Sequence, residues 1–307
     1  MIFLWNYIRQ IQPEDMLPTR KLPKWIAIWI VKIKKWIGYS QVKKIEDDKY
    51  LYLLPEKKMT KKIEENKNTC VLSKALKQVY QKENGQIGVQ SKQAYQYSLE
   101  KTFQYIIRQL GDKELTLETM DLYFLTNQYQ KETIEIIEYF LEKVKTMNVI
   151  TKNVQNYIKL EEKWEKEKGI LITVSNNKKK SLKKAKWIIN LDFEVQQLKS
   201  YSIFRNAIIF NMTTENITKL PAFEGIMVNQ LEILVKAELQ EEWKEKGLDT
   251  NVFDRMDLYE TCVKRQDTYA QNVRKVEENE VKVVNLIGNN GRIPQKELLG
   301  KKIFLTN

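Results

Sequence analysis

Residues 182–212, LKKAKWIINLDFEVQQLKSYSIFRNAIIFNM, begin inside a cluster in which lysine fills six of the nine positions from 178 to 186. Within the segment Ile188, Leu191, Val195, Leu198, Tyr201, Phe204, Ile208 and Met212 recur at intervals of three and four, the spacing that lines one side of an α-helix. The pattern predicts a single helix of about nine turns, near 45 Å long at ~1.5 Å per residue. A stripe of that length has to be covered, which points to a helical hairpin or coiled coil.

Toward the C-terminus, Leu231, Leu234 and Trp243 belong to a second helical pattern stopped by Gly247. A third stripe runs through Val252, Met256, Tyr259, Val263, Ala270, Val273 and Val276. Asn289, Asn290 and Gly291 read as a loop before a short terminal segment, 292–305. In the other direction, 161–168 is solvated charge and Gly169–Val174 reads as a strand. From Val71 to Leu110 the pattern is helical, with a break at Asn84 and Gly85. Thr119–Thr126 reads as a short helix, and Lys131–Thr146 as an amphipathic one carrying Ile134, Ile137, Phe140, Leu141 and Val144. Strands at 149–150 and 157–160 around a polar turn would complete a winged helix, a module that binds DNA or protein. The acidic residues Glu132, Glu135, Glu138 and Glu142 on its second helix favour the protein-contact role.

Near the N-terminus, Met16–Ile45 holds eight basic residues and no acidic one. At ~100° per residue Trp25, Trp29, Ile33 and Trp36, with Ile26, Ile30 and Ile37, gather on one face of a helix, while Lys24, Lys32, Lys34 and Lys35 crowd the other. Ile28 and Val31 blur that division, so a strand stays open. Tryptophan flanked by lysine is the composition of interfacial helices, whose indole rings sit at headgroup depth while ammonium groups meet anionic lipid. A buried helix under a basic surface is the competing reading. Asp47–Lys67, with Pro55 and alternating Lys and Glu, reads as a connector.

Composition narrows the chemistry. The 307 residues carry 52 Lys and Arg against 40 Asp and Glu, a net charge of +12, and no histidine. Absence of histidine removes Ser-His-Asp and Cys-His catalysis and the HExxH zinc site. Two cysteines, Cys70 and Cys262, are too few for a Cys₄ site or a disulfide framework, and a reducing compartment is the simplest reading. Neither GxGxxG nor GxxxxGK[ST] occurs. An enzyme is therefore not expected, and neither is a metal or cofactor. No stretch reaches the 18 or so apolar residues of a spanning helix, and no cleaved secretory signal is expected.

These segments in this order resemble the ESCRT-III family of membrane-remodelling filament proteins, in particular its winged-helix-bearing members. Lys24–Gly38 is similar to their tryptophan-rich membrane-binding element. Lys179–Lys186, continued through Glu194–Leu198 and Ala207–Ile209 to Met212, is similar to the start and length of the family's second core helix. Asp249, Val252, Met256, Asp257 and Glu260 match a helix with those spacings, and Arg292, Ile293, Glu297, Leu298, Ile303 and Leu305 resemble the leucine-rich C-terminal helix. The family's long basic first core helix has no clear equivalent between Leu160 and Asn177.

The resemblance implies a mainly α fold, with a winged-helix-like region bearing a small β-wing followed by long antiparallel helices. Its domains would be an N-terminal region 1–67 with the membrane-binding segment 16–45, a winged-helix-like domain 68–160, a helical core 161–288 and a C-terminal segment 289–307. Function would be assembly without catalysis: polymerisation on anionic membranes, peripheral on endosomal, nuclear-envelope or ER membrane from the cytoplasm. Membrane contact would fall to Trp25, Ile26, Trp29, Ile30, Lys32, Ile33, Lys34, Lys35 and Trp36. A second basic contact would come from Lys178, Lys179, Lys180, Lys183, Lys184 and Lys186, and self-assembly from Leu191, Val195, Leu198, Ile208, Val252, Met256 and Tyr259. Glu297, Leu298, Ile303 and Leu305 would present to a partner. The partners implied are other ESCRT-III subunits or a second copy, an anionic membrane and a AAA ATPase, with no specific nucleic acid. Two other readings remain: a basic winged-helix protein that binds nucleic acid, and a structural subunit of a larger complex, such as a mitochondrial one.

Overall fold

The computed structural model describes residues 5–17, 22–66, 69–84, 92–169, 172–215, 217, 219–263 and 267–306. The chain forms two compact units, each discontinuous in sequence: Met1–Ser91 with Ala237–Cys262, and Lys92–Lys236 with Val263–Asn307.

The first unit opens with β1 (Trp5–Gln10), α1 (Lys24–Trp36), β2 (Gln41–Glu46), β3 (Lys49–Leu54), α2 (Glu56–Glu65), β4 (Cys70–Leu72) and α3 (Lys74–Asn84). Strand β1 lies between β3 and β4 and parallel to both, and β2 runs antiparallel to β3 at the edge. Ile8, Leu54, Met59, Ile63, Cys70, Leu72 and Leu76 pack into one core cluster, so the segment read as a connector is a strand and a helix. Lysines Lys43 and Lys44 stand exposed on β2, a common guard against edge-to-edge pairing.

In the second unit, α4 (Gln93–Tyr97) and α5 (Leu99–Leu110) precede β5 (Asp121–Leu125), α6 (Lys131–Leu141), β6 (Thr146–Ile150), α7 (Val154–Lys168), β7 (Ile172–Ser175), β8 (Trp187–Asn190), α8 (Val195–Lys199), β9 (Ile208–Asn211), β10 (Ile226–Val228) and β11 (Gln230–Leu234). Six of these strands form one sheet in the order β10-β9-β8-β5-β6-β7, and every pairing in it is parallel. The first strand, β5, is central; β6 and β7 step away on one side, and β8, β9 and β10 on the other. Phe103 of α5 meets Phe140, Trp187 and Phe210 on one face. Leu182, Ile188, Phe193, Leu198, Ile209 and Ile217 fill the opposite face.

The chain then returns to the first unit with α9 (Ala237–Glu245) and α10 (Arg255–Glu260). Gly247 ends the α9 segment at φ +80°, where a side chain would be strained and its Cβ would come within 3.3 Å of Leu51. The returning segment is tied to the first strands: the Lys74 N–H donates to the Val252 carbonyl at 2.8 Å, and the Tyr7 hydroxyl to Thr261 Oγ1 at 2.8 Å. Lys77 spans Asp254 at 3.2 Å and Asp257 at 2.7 Å. Finally α11 (Tyr269–Glu278), β12 (Lys282–Gly288), β13 (Gly291–Arg292) and α12 (Gln295–Thr306) complete the second unit, with β11, β12 and β13 forming a small sheet.

This mixed α/β architecture overturns the mainly α expectation and, with it, the resemblance to ESCRT-III and its coiled-coil hairpin. The 182–212 segment is a turn, strand β8, the single-turn α8 and strand β9, so its stripe belongs to no rod. A parallel sheet covered on both faces buries whole strands, which read as unbroken apolar runs: all four residues of β8 and all four of β9 are buried. The winged helix is also absent, because 121–125 forms a central strand and 157–160 lies inside α7.

Candidate functional site

Two places depart from the ordinary distribution of polar and apolar groups. The first is the carboxyl edge of the six-stranded sheet. Numbered within the sheet, its strands run 3-2-1-4-5-6, the order in which doubly wound sheets bind ligands outside the carboxyl ends where the winding reverses. Here that switch point lies between β5 and β8. Two adjoining crevices open along this edge, of about 580 and 390 Å³, sharing Asp192, Glu194 and Gln196. The larger reaches Thr213, Thr214 and Glu215, and the smaller Asn127, Lys152 and Lys178.

Where a dinucleotide-binding sheet presents glycines and free amides to a pyrophosphate, this turn, 126–130, contains no glycine and the donors of its first three residues are engaged. Asp192 accepts from Thr126 Oγ1 and from the amides of Asn127 and Gln128, at 2.7–2.9 Å. A carboxylate of the protein thus occupies the amides that a phosphate would use.

Next to it, a chain of asparagines crosses the edge. Asn190 and Asn211 end β8 and β9 in register, and each is fully buried. Asn190 Nδ2 donates to Asn211 Oδ1 at 3.2 Å, Asn211 Nδ2 to Asn229 Oδ1 at 3.0 Å, and Asn229 Nδ2 to Asn289 Oδ1 at 2.7 Å. Asn289 Nδ2 closes the row on the Ile217 carbonyl at 2.8 Å. Buried amides are tolerated because each finds partners. Lys92 joins this edge through Nζ, which donates to the main-chain carbonyl of Asn211 at 3.0 Å. No carboxylate pairs with it among the described residues. Withdrawal of solvent lowers the Lys92 ammonium from 10.5 to about 8.

The second place is α1, none of whose residues is buried. Trp25, Trp29 and Trp36 are 69%, 64% and 87% exposed, and Ile28 and Ile33 are exposed with them. Ile26, Ala27, Ile30, Val31 and Lys34 face the protein and are half-buried. Lys34 Nζ donates to the Met16 carbonyl at 2.6 Å and lies 4.5 Å from the Tyr39 ring centre. Lys24, Lys32 and Lys35 therefore flank the tryptophans on the exposed side, whereas the helical wheel had assigned them the opposite face and grouped Ile26 and Ile30 with the tryptophans.

The other expected sites scatter. Lys178, Lys179, Lys180, Lys183 and Lys184 are exposed on a turn before β8, not on a helix; Lys186 is half-buried, and Lys178 lines the smaller crevice. Leu191 and Val195 are half-buried after β8, while Leu198 and Ile208 are core. Val252 is half-buried in the returning segment, where Met256 and Tyr259 of α10 are buried. Glu297 of α12 is exposed, Leu298 and Leu305 are buried, and the side chain of Ile303 lies outside the described residues. Sequence reasoning missed Asn190, Asn211, Asp192 and Lys92. The signal for the asparagines was present: Ile188-Ile189-Asn190 and Ile209-Phe210-Asn211 are apolar runs closed by the same amide. Nothing near Lys92 in sequence distinguishes it from other lysines.

No helix among the described residues is long and apolar enough to cross a membrane. No known family matches the chain, and no curated protein matches it in sequence.

Proposed function

We propose that the protein is a peripheral membrane-binding protein that docks on anionic lipid surfaces through α1 and acts there by binding and assembly. The supporting observation is the outward row of Trp25, Trp29, Ile33 and Trp36 on a helix with no buried residue. Apolar side chains concentrated on an exposed face mark a surface awaiting an apolar partner. Lipid is the partner that suits the pattern: Met16–Ile45 lacks any acidic residue, and Lys24, Lys32 and Lys35 sit beside the indoles, where their ammonium groups can meet lipid phosphates. Thirteen residues make a helix of about 20 Å, too short to span but suited to lie in the interface.

Co-sedimentation of the full chain with vesicles tests the reading. Binding to phosphatidylcholine vesicles containing phosphatidylserine, and little to phosphatidylcholine alone, is expected at physiological salt. Replacing Trp25, Trp29 and Trp36 together by Ala should abolish it without changing the melting temperature. Failure of the wild-type chain to bind, or equal binding by the triple variant, would overturn the proposal. A dimer that dissociates in the variant would instead assign the face to a second copy. Salt-sensitive binding to duplex DNA that the tryptophan changes leave intact would favour a nucleic-acid role.

A further inference from the structure

A bilayer surface can hold a helix by charge on its headgroups or by room between its lipids, and the balance of ammonium groups against apolar groups decides which governs. On α1 the apolar groups prevail. Trp25, Ile28, Trp29, Ile33 and Trp36 are exposed, and Ile37 continues them at 58% exposure. Only Lys24, Lys32 and Lys35 accompany them, because Lys34 is held by the Met16 carbonyl. The turn before β8 shows the opposite composition in the same chain: Lys178, Lys179, Lys180, Lys183 and Lys184 are exposed around a buried Leu182.

Shape adds to composition. At ~100° per residue Trp25, Trp29 and Trp36 fall within an arc of about 40°, so the three indoles stand as one narrow ridge about 17 Å long. Contacts within the protein hold that ridge. The Ala27 N–H donates to the Pro23 carbonyl at 3.1 Å at one end, and at the other the Ile37 N–H donates to Ile33 at 3.0 Å and the Tyr39 N–H to Lys34 at 2.9 Å. Gly38 then turns the chain out of the helix at φ +64°. Ile26, Ala27, Ile30 and Val31 rest half-buried beneath. A ridge fixed in this way does not splay to suit close-packed headgroups, so the lipids have to part to admit it.

We propose that α1 selects loosely packed anionic bilayers, convex or rich in unsaturated chains, in which gaps between headgroups already expose acyl chain. The inference deepens the membrane-binding reading and rests on it. Parting a tight leaflet by the width of three indoles costs lipid–lipid contact, whereas a strongly convex leaflet offers the gap beforehand. The three lysines hold the protein near anionic headgroups and do not distinguish flat from curved surfaces. Small vesicles and thin tubules are therefore the preferred partners, ahead of flat membrane.

The test uses the full chain and vesicles of one composition, phosphatidylcholine with a fixed share of phosphatidylserine, with flotation measured per outer-leaflet lipid. Binding should be at least about tenfold tighter to vesicles of about 30 nm diameter than to those of about 200 nm. On the large vesicles, replacing saturated by unsaturated chains should raise binding. Changing Lys24, Lys32 and Lys35 together to Gln should weaken binding to both sizes by a similar factor, while Trp29→Ala should shrink the ratio between them. Equal affinity for the two sizes, lost on replacing the three tryptophans, would overturn this inference and leave the membrane reading standing. No binding to either size would overturn both. A size preference that vanishes with the lysines, or loss of all binding with them, would assign the selection to charge and also count against the inference. The substituted side chains are all exposed, and the melting temperature of each variant checks that it folds.

Discussion

The outward face of α1 and the carboxyl edge of the six-stranded sheet break the same rule in opposite directions. On α1, three tryptophans stand in solvent on a helix that buries nothing. Along the sheet edge, four asparagine side chains lie in a row, with Asn190, Asn211 and Asn229 buried and each donating to a partner. Exposed indole costs little folding stability and waits for a partner outside the chain; buried amide is expensive unless its partners are inside. A substitution on α1 should therefore change binding and leave stability alone, whereas one on the sheet edge should do the reverse.

The largest effect expected is on α1. Changing Trp25, Trp29 and Trp36 together to Ala should weaken binding to anionic vesicles by on the order of a thousandfold, about 4 kcal/mol, with an unaltered melting temperature. A matching loss of stability would collapse the contrast by making α1 part of the core. Next, Asn211→Leu should destabilise the chain by roughly 3 kcal/mol in denaturant titration, because Asn190 Nδ2, Asn229 Oδ1 and the Thr213 hydroxyl each lose a hydrogen bond inside the fold, and Asn190 and Thr213 keep only those to the Phe193 and Glu215 carbonyls. Vesicle binding by that variant, once folded, should be unchanged.

Lys92, half-buried beside the asparagine row with no carboxylate paired to it among the described residues, sharpens the contrast at a cost in stability. Its ammonium is lowered from 10.5 to about 8, so folding disfavours the charged form. Below pH 8 both folded and unfolded chains hold the proton and the full penalty applies. Between pH 8 and 10.5 the unfolded chain binds more protons than the folded one, and the penalty is progressively removed. Lys92→Met should accordingly exceed wild type by roughly 2 kcal/mol at neutral pH, with the gap closing above pH 8 in thermal melts over that range.

The smallest effect belongs to an ordinary ion pair. Glu100 loses solvent, which would push its carboxyl up, but hydrogen bonds from Lys143 and Tyr139 hold it below the usual range. Its contribution is present above the usual glutamate range and lost as pH falls through the lowered value. Glu100→Gln should cost under about 1 kcal/mol at pH 7, a difference that vanishes in strong acid.

Particular elements explain how far the sequence could be read. The helix favoured over α1, though a strand stayed open there, the amphipathic α6, the strand read over Gly169–Val174 and found at Ile172–Ser175, and the stop at Gly247 were visible, because each is set by local spacing or by one residue with a special backbone. The 187–212 region was not, because its two strands are covered on both faces and show no alternation. Their apolar residues, joined by a loop and the one-turn α8, fell by accident on helical intervals. The exposure of α1 could not be decided from its wheel either. Its inward side is made of Ile26, Ala27, Ile30 and Val31, as apolar as the tryptophan row, so which side faces out depends on what the helix rests on. The asparagine row needs β8, β9 and β10 to be adjacent, a fact that exists only in the folded sheet.

The first unit is stitched across a long detour: Lys74 bonds to Val252 and Tyr7 to Thr261, although the whole parallel sheet is spelled out in between. On the ribosome, all four strands of the first sheet therefore emerge well before the segment near 261 that bonds to them. Throughout that interval α1 has already emerged, with its indoles available to any bilayer near the exit tunnel. A nascent chain of this design could reach its lipid surface before it finishes folding, and the order of the segments would then set the order of events.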